Sequence, residues 1–234
     1  IKLVGAIQDI TNRKKYEKSL KRLNNELTVK AKLLETSNTE LEQFAYVASH
    51  DLQEPLRMIT SFLTLLEKRY SERLDEKGRQ FISFAVDGAT RMRQIILELL
   101  DYSRVGNLLE NLQEIDIDAL IKEVSILHKK QIQDSSAIIT TDNLPIINAI
   151  KSPVRQIFLN LISNSIKYCD AQTTPRIHIS CTEEKHFWKF SVKDNGIGID
   201  SLYFEKIFII FQRLHNRDQY SGTGMGLAIT KKIV

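Results

Sequence analysis

Two runs of apolar residues, each stepping by three and four along the chain, limit the fold more than any other feature of this sequence. Leu41, Ala45, Ala48, Leu52, Leu56, Ile59, Leu63 and Leu66 form the first, and Phe81, Ala85, Gly88, Met92, Ile95, Leu99 and Tyr102 form the second. Steps of three and four return to one face of an α-helix, so each run predicts a long amphipathic helix. The polar stretch from Glu67 to Lys77 predicts a turn between them and an antiparallel hairpin. Two helices covering only one another leave such wide stripes half exposed, so a homodimeric four-helix bundle is the economical way to bury them.

The helical pattern begins upstream of the hairpin. Leu20, Leu27, Leu34, Leu41 and Ala48 recur at seven-residue intervals, which suits a two-stranded coiled coil, although Lys30 and Ser37 interrupt its second seam position. A solvated surface helix is the alternative. Residues 1–11 alternate weakly and read as one strand, the tail of an upstream domain. Hydrophobic residues at 42% and charged ones at 26% exclude a disordered or collagen-like chain. The net charge of +4 is spread as basic residues interleaved with acids, which argues against a nucleic-acid partner. No stretch reaches the roughly 18–20 apolar residues of a membrane span. Cys169 and Cys181 have no metal-site or disulfide spacing, so reduced thiols in a cytoplasm are the simplest reading. Any membrane anchor would precede Ile1.

The character changes near Leu112. A strand at Gln113–Ile115, a helix over Ile117–Ile132, and strands at Ala137–Thr141 and Ile146–Ile150 read as mixed α/β. Ser152-Pro153 predicts a helix to Tyr168, with Ser as its N-cap and Pro at the first helical position. Arg176–Cys181 and Phe187–Val192 alternate as a hairpin joined through Glu183 to His186, and a last helix starts near Gly224.

Four constellations carry chemistry. His50 lies two residues from both Ala48 and Leu52, about 160° from each at about 100° per residue, so it faces solvent with Glu54 and Arg57 on the same face. The adjacent Asp51 can hold its Nδ1 proton and leave Nε2 as a nucleophile. Pro55 should bend the helix just beyond. Asn160, Asn164, Lys167 and Tyr168 share a helix face by their spacing, a set that suits Mg²⁺, phosphate and a base. Asp194-Asn-Gly196-Ile-Gly198 comes directly off a strand, where a carboxylate can accept from an exocyclic amine such as adenine N6. Gly222-Thr223-Gly224-Met-Gly226-Leu227 opens a helix whose free N–H groups can cradle phosphate, with neither P-loop nor Rossmann spacing.

In this order the motifs resemble those of the sensor histidine kinases of two-component signalling, in their phytochrome-like branch. Phe44 to Arg57 resembles the phosphoacceptor H box and Asn160 to Tyr168 the N box. Asp194 to Gly198 resembles the first glycine box, Phe204 to Phe211 the F box and Gly222 to Leu227 the second glycine box. Phe211-Gln-Arg-Leu-His215 also looks phytochrome-like. The resemblance covers roughly residues 40–234.

It implies an α plus α/β chain: a coiled coil leading into a dimeric helical hairpin, then an α/β sandwich of the Bergerat type that binds ATP. The implied domains are 1–11, the tail of a PAS-like sensor; 12–40, a signalling coiled coil; 41–107, dimerisation and phosphotransfer; and 108–234, the catalytic ATP-binding domain. His50 would be the phosphorylated residue and Asp51 its orienting acid. Asn164 would hold Mg²⁺ with Asn160 beside it, Lys167 would meet phosphate, Tyr168 the adenine and Asp194 its amine. Gly196, Gly198, Gly222, Thr223, Gly224, Gly226 and Leu227 would line the nucleotide, under a lid of residues 199–221 from which Arg213 contributes a phosphate contact. The implied activity is ATP-dependent autophosphorylation and transfer to the aspartate of a response-regulator receiver domain, in a homodimer driven by an upstream sensor domain of the same chain. One departure is Glu54, where the family's phosphatase pattern has Thr or Asn. Two other functions use the same pocket: a nucleotide-binding signalling scaffold, and an ATPase acting on DNA or protein conformation.

Overall fold

The computed structural model describes Asp9 and residues 11–70, 72–104, 111–170, 172–214, 220 and 222–234. The strand expected at 1–11, the domain boundary at 107/108, His215 and part of the expected lid therefore lie outside the described residues. The chain divides into two units, Ile1–Ala48 and Ser49–Val234.

In the first unit the described residues from Thr11 on belong to helix α1, which spans Thr11–Tyr70. Asp9 accepts the Thr11 N–H at 2.9 Å, which starts the helix, and the Thr11 side chain together with this N–H holds the Asp9 carboxyl below the usual range. Leu20, Leu27, Leu34 and Leu41 all lie exposed along the single helix.

The second unit opens with the remainder of α1, which continues as helix through Pro55. The turn is shorter than the polar run suggested. Helix α1 reaches Tyr70, and α2 (Glu76–Arg104) starts where the Asp75 carboxylate accepts the Gly78 N–H at 2.7 Å. The sheltered row on α1 also differs from the expected stripe. Ser49, Gln53, Leu56, Thr60 and Leu63 are buried or half-buried, while Leu52 at 54%, Ile59 at 48% and Leu66 at 45% remain exposed. On α2 Gly88, Ile95 and Tyr102 of the expected stripe are half-buried beside Ile82, Val86, Ala89, Ile96 and Leu100, while Phe81, Ala85, Met92 and Leu99 are exposed. The stripes are wide enough for two faces, and in the single chain one of them has no cover.

The α/β part holds two sheets. Strand β1 (Gln113–Asp116) pairs antiparallel with β3 (Ile146–Ala149). Strand β2 (Ile138–Thr141) runs parallel to β4 (Arg176–Glu184), which pairs antiparallel with β5 (Phe187–Asp194). The register Glu184↔Phe187 leaves Lys185 and His186 as a two-residue turn, so Glu183 belongs to the strand rather than to the connection. Ile177 and Ile179 of β4 meet Leu120, Ile121 and Val124 of α3 (Ile117–Leu127) and Phe158 and Ile162 of α5 (Lys151–Lys167) in one core.

Two helix boundaries depart from the sequence reading. The helix expected over 117–132 breaks at His128, and α4 (Lys129–Ser135) follows. The half-buried His128 ring faces α5, with Nε2 3.3 Å from the Leu159 carbonyl oxygen, and burial lowers its pKa. The cap of α5 is Ile150 rather than Ser152, with extended backbone and no side-chain cap bond. Glu123 of α3 accepts from Lys151 at 2.8 Å and Arg155 at 3.2 Å, so ion pairs hold the first turn in place of a cap. Pro153 then sits inside that turn, where its missing N–H costs nothing. The last helix, α6 (Gly226–Ile233), starts later than Gly224 because Gly222 and Gly224 take φ of 133° and 83°, outside any right-handed helix.

Candidate functional site

His50 projects from α1 with 69% of its side chain exposed, as its angular position relative to the apolar run predicts. Its Nδ1 lies 3.2 Å from Asp51 Oδ1. A carboxylate only accepts, so the tautomer satisfying this pair carries hydrogen on Nδ1 and leaves the Nε2 lone pair outward. Both groups are exposed, so water competes for this bond, and it biases the tautomer rather than locking the ring. Helix geometry supplies the rest: Glu54 and Arg57 follow one and two turns on.

The second cluster forms where α5, the end of β5 and the turn before α6 converge. Asp194 ends β5 opposite Ile177. Its Oδ1 accepts the Gly196 N–H at 2.9 Å and its Oδ2 accepts the Ser165 hydroxyl at 3.0 Å. The Ile197 N–H donates to the Tyr168 carbonyl at 2.9 Å, which presses the glycine turn against the end of α5. A Cβ on Gly196 would stand 2.5 Å from that carbonyl oxygen, so the position admits glycine alone. Gly198, at φ 70°, has open space around its missing Cβ.

Lys167 and Tyr168 close the helix. The Lys167 ammonium donates to the Tyr168 hydroxyl at 2.8 Å and lies 4.2 Å from the ring centroid. A Cβ on Gly222 would come within 2.7 Å of that ammonium, so backbone, cation and ring meet in one place. Tyr220 stacks obliquely on Tyr168 with centroids 5.0 Å apart, and Arg213 donates to the Tyr220 carbonyl. Gly224 lies against the Gln212 carbonyl, where a Cβ would be 2.7 Å away, and against the Arg213 stem. The structure thus brings Lys167, Tyr168, Asp194, Gly196, Arg213, Gly222 and Gly224 together.

The two asparagines part company. Asn160 donates to the Gly226 carbonyl at 3.0 Å and accepts from Gln156 at 3.1 Å, so its amide fastens α6 to α5. Asn164 is half-buried, and its side chain makes no hydrogen bond among the described residues. Thr223 donates its hydroxyl to Glu98 of α2, and the Lys232 ammonium donates to the Tyr102 carbonyl at 2.7 Å. The turn before α6 and the last turn of that helix are thereby each tied to α2. Leu227, in the first turn of α6, is half-buried.

Three participants had no signal in the sequence. Ser165 sits inside the N-box-like string but bonds a residue 29 positions away, and Glu98 bonds one 125 positions away. Asn195 fixes the glycine turn by accepting the Arg176 N–H at 2.7 Å and donating to the Thr174 carbonyl at 3.0 Å. Its neighbours in an Asn-Gly turn pattern hid that role.

Comparison with known proteins bears on both clusters. Residues 40–108 match the His Kinase A (phospho-acceptor) domain, and residues 149–234 match the histidine kinase-, DNA gyrase B- and HSP90-like ATPase domain. The chain is 46% identical over 209 residues to phytochrome-like protein Cph1 of Synechocystis, a stretch covering 89% of this chain and 28% of that relative. It therefore spans little more than a quarter of the relative's length. Among solved structures, full-length ShkA in complex with AMPPNP superposes with a TM-score of 0.61 at 23% identity, over 82% of this chain and 40% of that one, which establishes the fold. Histidine kinase ThkA in complex with response regulator protein TrrA superposes with a TM-score of 0.53 at 25% identity, over 98% of this chain and 61% of that one. Among the described residues no helix is long and apolar enough to cross a membrane.

Proposed function

Because the chain belongs to the sensor histidine kinases, in their phytochrome-like branch, we propose that it transfers the γ-phosphoryl group of ATP to His50 and passes it to an aspartate on a response-regulator receiver domain. The observation that carries this reading is the outward His50 with Nδ1 held by Asp51, in the same chain as a glycine-walled site at the end of α5.

The residues present fit a nucleotide. Gly196 and Gly222 let the backbone close against Tyr168 and Lys167, Asp194 offers an oriented acceptor for an adenine amine, and Lys167 offers a cation. They fit Mg²⁺ as well. Magnesium binds through phosphate oxygens, water and one or two protein oxygens, and the uncommitted Asn164 amide can supply one. Among the described residues no cluster of His, Cys, Asp or Glu is gathered for a metal, so binding would depend on the phosphates. When bound, the ion screens phosphate charge against the incoming nucleophile. Asn160, Thr223 and Leu227 shape the wall at α6, and Gly198, Gly224 and Gly226 let the backbone approach.

The work left to the chain is positioning. The His50 Nε2 lone pair forms the bond to phosphorus as the bond from phosphorus to the bridging oxygen of ADP breaks. Asp51 keeps the hydrogen on Nδ1 and stabilises the positive charge the ring gains. The phosphoryl group then passes from Nε2 to a carboxylate oxygen of the receiver domain, which restores neutral His50.

The same reading assigns residues 41–107 to dimerisation and phosphotransfer and 108–234 to ATP binding. Residues 12–40 become a coiled coil linking an upstream PAS-like sensor, whose tail is 1–11. The uncovered Leu52, Ile59 and Leu66 row supports a homodimer. The ThkA complex with a response regulator supports the partner class. The unpaired Cys169 and Cys181 suit a reducing cytoplasm.

Incubation with γ-labelled ATP and Mg²⁺ tests the proposal. Label retained on wild-type protein and absent from His50→Gln supports it. Free phosphate released equally by both proteins points to an ATPase instead, and nucleotide binding with neither product points to a scaffold.

A further inference from the structure

Several hydroxyl side chains in the helices of this protein share one habit, from which Ser165 departs. Thr60, Thr64, Ser125, Ser135 and Thr230 each donate to the carbonyl four residues back, at 2.7–3.0 Å. That bond is local and available to any helical Ser or Thr. Ser165 lies in the last turn of α5 with 5% of its surface exposed, near core residue Ile162 and the partly buried Ile166, and donates instead across to Asp194 Oδ2 at 3.0 Å. A hydroxyl buried at a core-facing position is costly without a partner, and this one is directed at a carboxylate that is itself exposed.

We propose that Ser165 is a positioning residue that sets the base specificity of the nucleotide site through Asp194. The inference rests on the reading of Asp194 as the acceptor for an adenine amine. A carboxylate at a strand end rotates about its last bond, and the Gly196 N–H on Oδ1 alone leaves that rotation loosely restrained. The Ser165 hydroxyl on Oδ2 supplies a second point, so the plane of the carboxylate is fixed relative to α5. Both bonds are donated to the carboxylate, which leaves its remaining lone pairs to act as acceptors. Such a group accepts from a 6-amino purine and opposes a 6-oxo purine, whose oxygen faces it with no hydrogen between. Ser165 follows Asn164 directly, so a single turn of α5 ties base recognition to the residue proposed for Mg²⁺.

The test is equilibrium titration of wild type, Ser165→Ala and Ser165→Cys with Mg-ATP and with Mg-purine riboside triphosphate, which lacks the 6-amino group. Wild type is expected to bind ATP at least tenfold more tightly than the analogue, the scale of a hydrogen bond to a charged group. In Ser165→Ala that ratio should fall about threefold or more, with ATP affinity dropping and analogue affinity nearly unchanged. Ser165→Cys keeps the volume with a far weaker donor, so its ratio should match that of Ala. Equal losses for both nucleotides in either variant would mean that Ser165 only supports the fold, and would overturn the inference. A wild-type ratio preserved in Ser165→Cys would also overturn it, because shape rather than donation would then suffice. A wild type that does not distinguish the two nucleotides would instead overturn the placement of adenine on Asp194, and the inference with it.

Discussion

Gly196→Ala makes the sharpest demand on the geometry of the nucleotide site. An added Cβ would stand 2.5 Å from the Tyr168 carbonyl oxygen and 3.1 Å from Asp194 Oδ1, against an ordinary contact of 3.4 Å or more. The first of these neighbours is backbone at the end of α5, so it cannot rotate away as a side chain would. Relief requires the glycine turn to move off by nearly an ångström, which breaks the Ile197 N–H bond to Tyr168 and weakens the Gly196 N–H bond to Asp194. Losing an ordinary hydrogen bond costs about 1 kcal/mol and one to a carboxylate about 1.5–3 kcal/mol. Overpacking of this kind costs about 1–3 kcal/mol by itself, and because the same movement relieves it, a total of about 2–4 kcal/mol is expected. Gly198→Ala is the internal control. At φ 70° with nothing within 4 Å, it carries backbone strain of about 1–2 kcal/mol and no clash. Urea denaturation and ATP titration of both variants give the comparison. Gly196→Ala should lose more stability than Gly198→Ala and at least tenfold in ATP affinity, since Asp194 is displaced with the turn. Equal, mild effects in the two variants would refute the reasoning, because the close approach to Tyr168 would then not constrain the site.

Three further outcomes follow from other parts of the structure. Glu98→Ala removes the acceptor that pins Thr223 to α2, and nucleotide affinity should rise about three- to tenfold, on the scale of a partly exposed hydrogen bond to a charged group; unchanged or weaker binding by titration would count against the pin. Ile59→Asp places a charge in the uncovered apolar row and should shift the sedimentation equilibrium from dimer to monomer; an unaltered dimer would show that this row is not the interface. Burial lowers the pKa of His128 in the folded chain, so the unfolded chain takes up its proton first as pH falls below about 6.5. Stability should therefore be full above that pH and decline as pH falls toward the folded pKa, and His128→Gln should flatten that part of the curve; a slope of opposite sign, or one unaltered in the variant, would contradict the burial argument.

What could be read from the sequence was whatever is written in local periodicity or local backbone demand. The outward face of His50 follows from its angle to Ala48 and Leu52, and helix geometry leaves little room for another outcome. Gly222 and Gly224 announce positive φ through their identity, and the β4–β5 hairpin announces itself by alternation. The apolar stripe, by contrast, said that Leu52, Leu56, Ile59 and Leu63 share a face without saying which partner each would meet. Within one chain Leu56 is sheltered and Ile59 is not. The start of α5 was misplaced because Ser-Pro is a strong local cap signal, and the ion pairs from Glu123 to Lys151 and Arg155 that overrule it span about 30 residues. Ser165 and Glu98 were invisible for the same reason: their partners are set by how the elements pack. Asn160 shows the reverse case, since its spacing placed it on the face of Asn164 while packing against α6 took its amide for another purpose.

Where the phosphoryl group of ATP comes to lie, on His50 and at which ring nitrogen, is the most direct measure of the proposed transfer. Protein incubated with Mg-ATP would be digested under alkaline conditions, the phosphopeptide mapped, and the ring nitrogen identified by phosphorus–proton correlated NMR. A single phosphopeptide containing His50 is expected, with phosphorus on Nε2, because Asp51 Oδ1 lies 3.2 Å from Nδ1. Phosphate on any other residue would contradict the assignment of His50, and phosphate on Nδ1 would contradict the role given to Asp51.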